Sequence, residues 1–129
     1  MKIILGILVF CLTIMGKANS QTMTTLGYDE IVSIDNIELE LIEIVDSRCP
    51  KSVNCITAGE AKVTVEVYKD GEFLKQKTLI IYPSGIDKKS ASLYISEDII
   101  ISGINLLPYP IKPEKIPEEN YTLQLIIQD

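Results

Sequence analysis

The residue types with the richest chemistry lie together in the segment Asp46-Ser47-Arg48-Cys49-Pro50. Arg48 is the only arginine among the 129 residues, and its planar guanidinium suits bidentate pairing with a carboxylate. We interpret Asp46 and Arg48 first as a structural clamp that holds the entrance of a loop, because an ordered loop needs partners for its polar groups. The alternative is that Arg48 is an exposed contact for an acidic ligand.

Ser47 is a candidate nucleophile only if a lysine serves as its base. The chain contains no histidine, which excludes an imidazole base or ligand, and the nearest amines in sequence are Lys51 and Lys62. Nothing in the sequence places either amine in a setting that lowers its pKa. We therefore predict no catalytic residues and no enzyme, with a histidine-free enzyme that uses carboxylates or lysine as an alternative. In the preferred interpretation Asp46 and Ser47 form a turn and bond to nearby backbone amides.

Lys51 lies between the two cysteines Cys49 and Cys55, and a Lys51-Ser52 bond on a short closed loop has the character of a protease substrate. A rigid loop of this kind can act as a protease inhibitor, because pre-organisation lowers the cost of binding. The simpler interpretation, which we prefer, is a disulfide-closed turn at a corner between two sheets. Gly59 follows this loop and predicts a positive φ or a close approach to the disulfide.

The sequence predicts neither a metal nor a cofactor. It contains no glycine-rich phosphate loop, and zinc would have neither histidine nor unpaired cysteines as ligands. Carboxylates occur in pairs such as Glu97-Asp98 and Glu118-Glu119, but none has the spacing of an EF-hand. Charged turns explain these pairs, and a bound calcium ion remains an open alternative.

Residues 1–20 have the pattern of a secretory signal peptide. Lys2 precedes an apolar run over residues 3–15, and Ala18-Asn19-Ser20 fits a cleavage site with small residues. The run is shorter than the roughly 20 residues that span a bilayer, so we expect no membrane span after cleavage. The mature chain would be periplasmic or extracellular. Because removal of Cys11 leaves an even count, we expect a disulfide between Cys49 and Cys55.

The charge of the chain restricts its partners. There are 12 Lys and Arg against 18 Asp and Glu, and without Lys2 and Lys17 the count is ten against eighteen, a net charge of −8. An acidic surface repels phosphate backbones, so we predict no nucleic-acid partner. The 47% apolar content with 23% charged residues is typical of a folded chain and not of a disordered one.

Period-two alternation of apolar residues predicts an all-β fold over residues 21–129, as a single domain. Asp70-Gly71 between two alternating runs predicts a hairpin, and a phase shift at Leu41-Ile42 predicts a β-bulge. About seven strands are expected, over residues 31–34, 37–44, 60–68, 73–82, 91–95, 99–106 and 121–128. We predict an immunoglobulin-like, two-sheet β-sandwich, with a small, partly open β-barrel as the alternative. Tyr109 and Tyr121 are expected to pack with hydrogen-bonded hydroxyls, and residues 108–117, with four prolines, to form a stiff connection.

The chain contains D-S-R-C-P, followed after four residues by C-I-T-A-G-E-A. This segment resembles a signature of small exported bacterial proteins, many from Bacteroidota. In those proteins the position of Thr57 is usually Trp. The closing segment, Leu106-Leu107-Pro108-Tyr109-Pro110 followed by a strand led by Tyr121, is also similar. The likeness covers residues 45–67 and 106–129. It implies export, a disulfide and a sandwich fold, but no reaction. Because the usual catalytic groups are missing and the domain is too small to enclose a cofactor, the sequence predicts a non-enzymatic binding module of the cell envelope whose partner is an unknown protein or envelope component.

Overall fold

The computed structural model describes residues 20–129, so the predicted signal peptide lies, except for Ser20, outside the described residues. This part of the chain is all-β, as predicted. The strands are β1 (Gln21–Gly27), β2 (Ile31–Ile34), β3 (Ile37–Asp46), β4 (Ala61–Lys69), β5 (Glu72–Tyr82), β6 (Gly85–Ile86), β7 (Ser92–Ile95), β8 (Ile100–Leu107) and β9 (Thr122–Gln128). A short 3-10 helix covers Glu118–Asn120. Within residues 20–129 no helix has the length and apolar character needed to cross a membrane.

Two antiparallel sheets form the fold, in the order β2-β3-β4-β5-β6 and β1-β9-β8-β7. The predicted two-sheet arrangement is therefore confirmed. Strands that follow one another in the chain are neighbours within each sheet, and β1 returns to pair with β9. Strand β6 also contacts β8, and β1 contacts β2 and β3, so the sheets curl towards each other along their edges. The arrangement is that of a β-sandwich whose curled sheets approach a partly open barrel.

The apolar positions of the alternating strands form one core between the sheets. In β4 the side chains Ala61, Val63, Val65 and Val67 are fully buried, as the period-two pattern predicted. Leucine and isoleucine side chains from the second sheet complete the core; they include Ile101, Leu106, Leu123 and Leu125. Burial of side chains of this size supplies most of the favourable free energy of folding.

The predicted bulge and hairpin are both present. The register of β3 against β4 shifts between Leu41 and Glu43, and the extra residue returns Ile44 to the core. Asp70 and Gly71 have φ angles of 52° and 79°, the left-handed pair that a two-residue hairpin needs.

The structure contains two strands that the sequence pattern did not predict. β1 (QTMTTLG) is largely polar and buries only Leu26, since it is an edge strand of its sheet. β6 has two residues, too few to show any alternation. Residues 20–129 therefore contain nine strands, where about seven were expected.

Candidate functional site

The predicted site residues lie at one end of the sandwich, where both sheets contribute strand ends. Asp46 ends β3 opposite Ala61 at the start of β4, and Leu107 ends β8 opposite Thr122 at the start of β9. Two long connections therefore meet here, over residues 47–60 and 108–121. The hairpin at Asp70-Gly71 closes the opposite end of β4 and β5.

Asp46 and Arg48 form a buried bidentate pair. The guanidinium Nε donates to Oδ1 of Asp46 and Nη2 donates to Oδ2, both at 2.9 Å, and Arg48 is only 3% exposed. Nη1 and Nη2 also donate to the carbonyl oxygens of Leu106 and Pro108, at 3.1 and 3.2 Å. These are the contacts that the clamp interpretation predicts. They join the end of β3 in one sheet to the end of β8 in the other.

Two tyrosines complete the surroundings of this pair. The Tyr121 hydroxyl donates to Oδ2 of Asp46 at 2.8 Å, and the Tyr109 hydroxyl donates to the carbonyl oxygen of Cys49 at 2.6 Å. The Arg48 guanidinium lies 4.9 Å from the centre of the Tyr109 ring, within range of a cation–π contact. Both hydroxyls are thus hydrogen-bonded, as predicted. Burial and the bond to Asp46 raise the pKa of Tyr121.

The hydrogen bonds to Asp46 give the clamp a pH dependence. Burial raises the pKa of Asp46, but hydrogen bonds from Arg48 and Tyr121 outweigh it and hold the pKa below its usual value. The unfolded chain therefore binds a proton at this position more tightly than the folded protein does. The resulting contribution to stability is complete above about pH 4 and is lost as the pH falls through the lowered pKa.

We expect Asp46→Asn to be less stable than the parent at pH 7 and to lose less further stability between about pH 5 and pH 2. Urea unfolding across that pH range measures both effects. Asp98→Asn is the matched control, since Asp98 is exposed. An acid slope for Asp46→Asn as steep as that of the Asp98→Asn variant would contradict this assignment.

The predicted disulfide between Cys49 and Cys55 is present, with its Cα atoms 5.9 Å apart. The backbone of its loop is paired with the proline-rich connection: the Lys51 and Ser52 amides donate to the carbonyl oxygens of Pro110 and Ile111. A covalent link and two backbone hydrogen bonds therefore constrain the loop.

Removing the disulfide with Cys49→Ser and Cys55→Ser together is expected to lower the free energy of unfolding by about 2 kcal/mol, the loop-entropy value for a loop of this length. Urea unfolding of the double variant measures the change, and the reduced parent protein is the control that should match it. A double variant as stable as the oxidised parent would show that the hydrogen bonds alone fix the loop.

Ser47 and Lys51 are not brought together as a nucleophile and base. The Ser47 hydroxyl donates to the carbonyl oxygen of Glu60 at 2.7 Å, whereas the Lys51 amine lies 5.5 Å from the centre of the Tyr109 ring. Residues 50–53 form a turn in which the Val53 amide donates to the Pro50 carbonyl oxygen. Because a substrate mimic presents an extended backbone, this turn gives the protease-inhibitor interpretation no support.

A groove of about 320 Å³ opens beside the clamp, between the disulfide loop and the proline-rich connection. Its walls include Ser47, Val53, Ile116 and Tyr121, with Lys112 and Lys115 also among the lining residues. Three apolar side chains on the same two connections point to solvent: Val53, Ile111 and Ile56 are 37%, 62% and 105% exposed. We call these three residues the apolar tip.

The sequence predicts neither the groove nor the apolar tip. Residues 108–117 are expected only as a stiff connection, but in the structure they form the second wall of the site. The available signal was the occurrence of Val53, Ile56 and Ile111 in segments without strand periodicity, since isolated apolar residues there have no core face to join.

Within residues 20–129 no group of three or more Cys, Asp or Glu side chains is arranged to hold a metal ion. Comparison of the chain with protein-family models, curated proteins and solved structures gives no match. The geometry of this end of the sandwich is therefore the basis for assigning a function.

Proposed function

We propose that the protein is an exported, non-enzymatic binding module of the cell envelope that contacts a partner protein through the apolar tip. The observation that carries this proposal is the exposure of Val53, Ile56 and Ile111 on backbone fixed by a disulfide and hydrogen bonds. Burial of each such side chain by a partner is favourable by about 1.5–3 kcal/mol when complete. Three such side chains are enough to form the small apolar centre of a protein–protein contact that is surrounded by polar residues.

The constraints on the two connections support a binding function over an enzymatic one. A contact surface that is ordered before it meets its partner loses little conformational entropy on binding. In addition, the polar side chains around the Asp46–Arg48 pair are occupied: Arg48 has four side-chain hydrogen bonds, and Ser47 and both tyrosines donate to protein oxygens. These bonds hold the shape of the site.

The exported location is part of the same proposal. A disulfide that closes a surface loop persists in oxidising compartments such as the periplasm or the extracellular space. The signal-peptide pattern of residues 1–20 and the likeness to exported bacterial proteins point to the same location.

Site-specific photocrosslinking tests the proposal. A benzophenone amino acid placed at Ile56 of the full chain, in cells that export it, should give one crosslinked protein of defined mass. The matched control is the same amino acid at Phe73, which is 59% exposed at the opposite end of β5. Introducing Ile111→Asp into the Ile56 crosslinking variant should abolish the product.

The proposal is contradicted if positions 56 and 73 give the same products, because both would then report random encounters. It also fails if Ile111→Asp leaves the crosslink from position 56 unchanged, since the apolar tip would not be the contact.

A further inference from the structure

The groove beside the apolar tip carries a charge opposite to that of the molecule as a whole. Lys112 and Lys115 line it with one carboxylate of their own segment, Glu114, while Asp46 is paired with Arg48. Lys51 lies close by, over the Tyr109 ring. Over the rest of the described residues acidic side chains exceed basic ones, since the mature chain has ten cations and eighteen anions.

The lysine amines of the groove are available to a ligand. Among residues 20–129 the ion pairs within 4.0 Å are Arg48–Asp46 and Lys62–Glu60. Lys51, Lys112 and Lys115 therefore have no carboxylate partner at that distance, and Lys112 and Lys115 are exposed.

We propose that the groove binds a short acidic segment of the partner protein, with a carboxylate side chain between Lys112 and Lys115 and an apolar neighbour against Val53 and Ile116. This inference rests on the proposed function and names the chemistry that the partner presents. The volume of about 320 Å³ lies at the lower end of the range for ligand sites and fits one or two side chains.

The lining favours a peptide over an acidic polysaccharide. Sugar sites use exposed aromatic faces as platforms, but the aromatic residue that lines this groove is Tyr121, which is 5% exposed and bonded to Asp46. Prolines and aliphatic side chains make up much of the remaining wall, including Pro50, Pro110 and Pro113. These groups suit the apolar side chains of a peptide.

The inference is tested with a labelled hexapeptide of alternating Glu and Leu, whose binding to the full mature chain is measured. Fluorescence polarisation measures the affinity, and amide chemical shifts locate the peptide. We expect shift changes at Ser47, Val53 and Ile116, weaker binding at higher salt, and at least tenfold weaker binding of the Gln-Leu counterpart. Lys112→Gln with Lys115→Gln should weaken binding about tenfold.

The matched control is Lys88→Gln with Lys89→Gln, which removes the same charge from two exposed lysines outside the groove. Equal weakening by both pairs of substitutions would overturn the inference, because attraction would then be general. Shift changes elsewhere, no peptide binding, or binding of oligogalacturonate in place of the peptide would also overturn it. Crosslinking from Ile56 reports the apolar tip in cells, so its success or failure is separate from this result.

Discussion

Arg48→Met should lower the free energy of unfolding by about 3–5 kcal/mol, the cost of removing one partner from a buried ion pair. The substitution leaves the Asp46 carboxylate, whose side chain is 6% exposed, without its counter-charge. It also removes the donors to the carbonyl oxygens of Leu106 and Pro108, so two backbone acceptors lose their partners. The loss at Leu106, which is buried, adds to the penalty, whereas the carbonyl of the exposed Pro108 can bond to water instead.

The geometry of the guanidinium, and not its charge alone, should account for much of this effect. Arg48→Lys keeps the charge, but one ammonium cannot reproduce the fork that bonds both Asp46 oxygens and two carbonyls. We expect Arg48→Lys to recover only part of the loss. It also gives a measurable variant if Arg48→Met does not fold.

Urea unfolding at pH 7 measures these changes, and Lys62→Met is the control. Lys62 pairs with Glu60 at 3.8 Å, with side chains 55% and 33% exposed, and pairs of this kind contribute at most about 1 kcal/mol. If Arg48→Met and Lys62→Met lower stability equally, the clamp has no special structural role.

The strands that could be predicted from the sequence are those with one face in the core. In β4 the valines alternate with polar residues, and because a one-residue slip would expose all of them, the pattern fixes both element and register. β1 lacks this signal because its polar residues lie at a sheet edge, where burial imposes no alternation. The pairing of Asp46 with Arg48 was predictable for a different reason, namely that a lone arginine two residues from an aspartate is within reach of a bidentate contact.

The groove could not be predicted because its walls are distant in sequence. Pro110 and Ile111 meet Lys51 and Ser52 through two backbone hydrogen bonds, across about sixty residues of intervening chain. Neither segment has a periodic pattern that specifies the other, and the contact follows only when the ends of β3 and β8 are brought together by the sandwich. The same holds for the hydrogen bonds from Arg48 to the carbonyl oxygens of Leu106, in β8 of the other sheet, and of Pro108, just after β8.

Gly59→Ala is expected to lower the free energy of unfolding by about 2–5 kcal/mol, for two reasons that add. Gly59 has a φ of 71°, which disfavours any residue with a Cβ. A Cβ at this position would also overlap the carbonyl oxygen of Ser47. That segment is held by backbone bonds from Ser47 to Glu60 and from Cys49 to Ala58, so it cannot move aside without breaking the base of the disulfide loop.

Gly71→Ala separates these two contributions. Gly71 has a similar φ of 79°, but a Cβ there meets no atom within 4 Å, so only the backbone cost of about 1–2 kcal/mol applies. Urea unfolding of both variants gives the difference between their losses of unfolding free energy. That difference is the cost of the overlap between a Cβ at position 59 and Ser47. Equal losses would mean that the loop adjusts freely. That result would also weaken the case for a rigid apolar tip, because Val53 and Ile56 lie in the loop that these two backbone segments close.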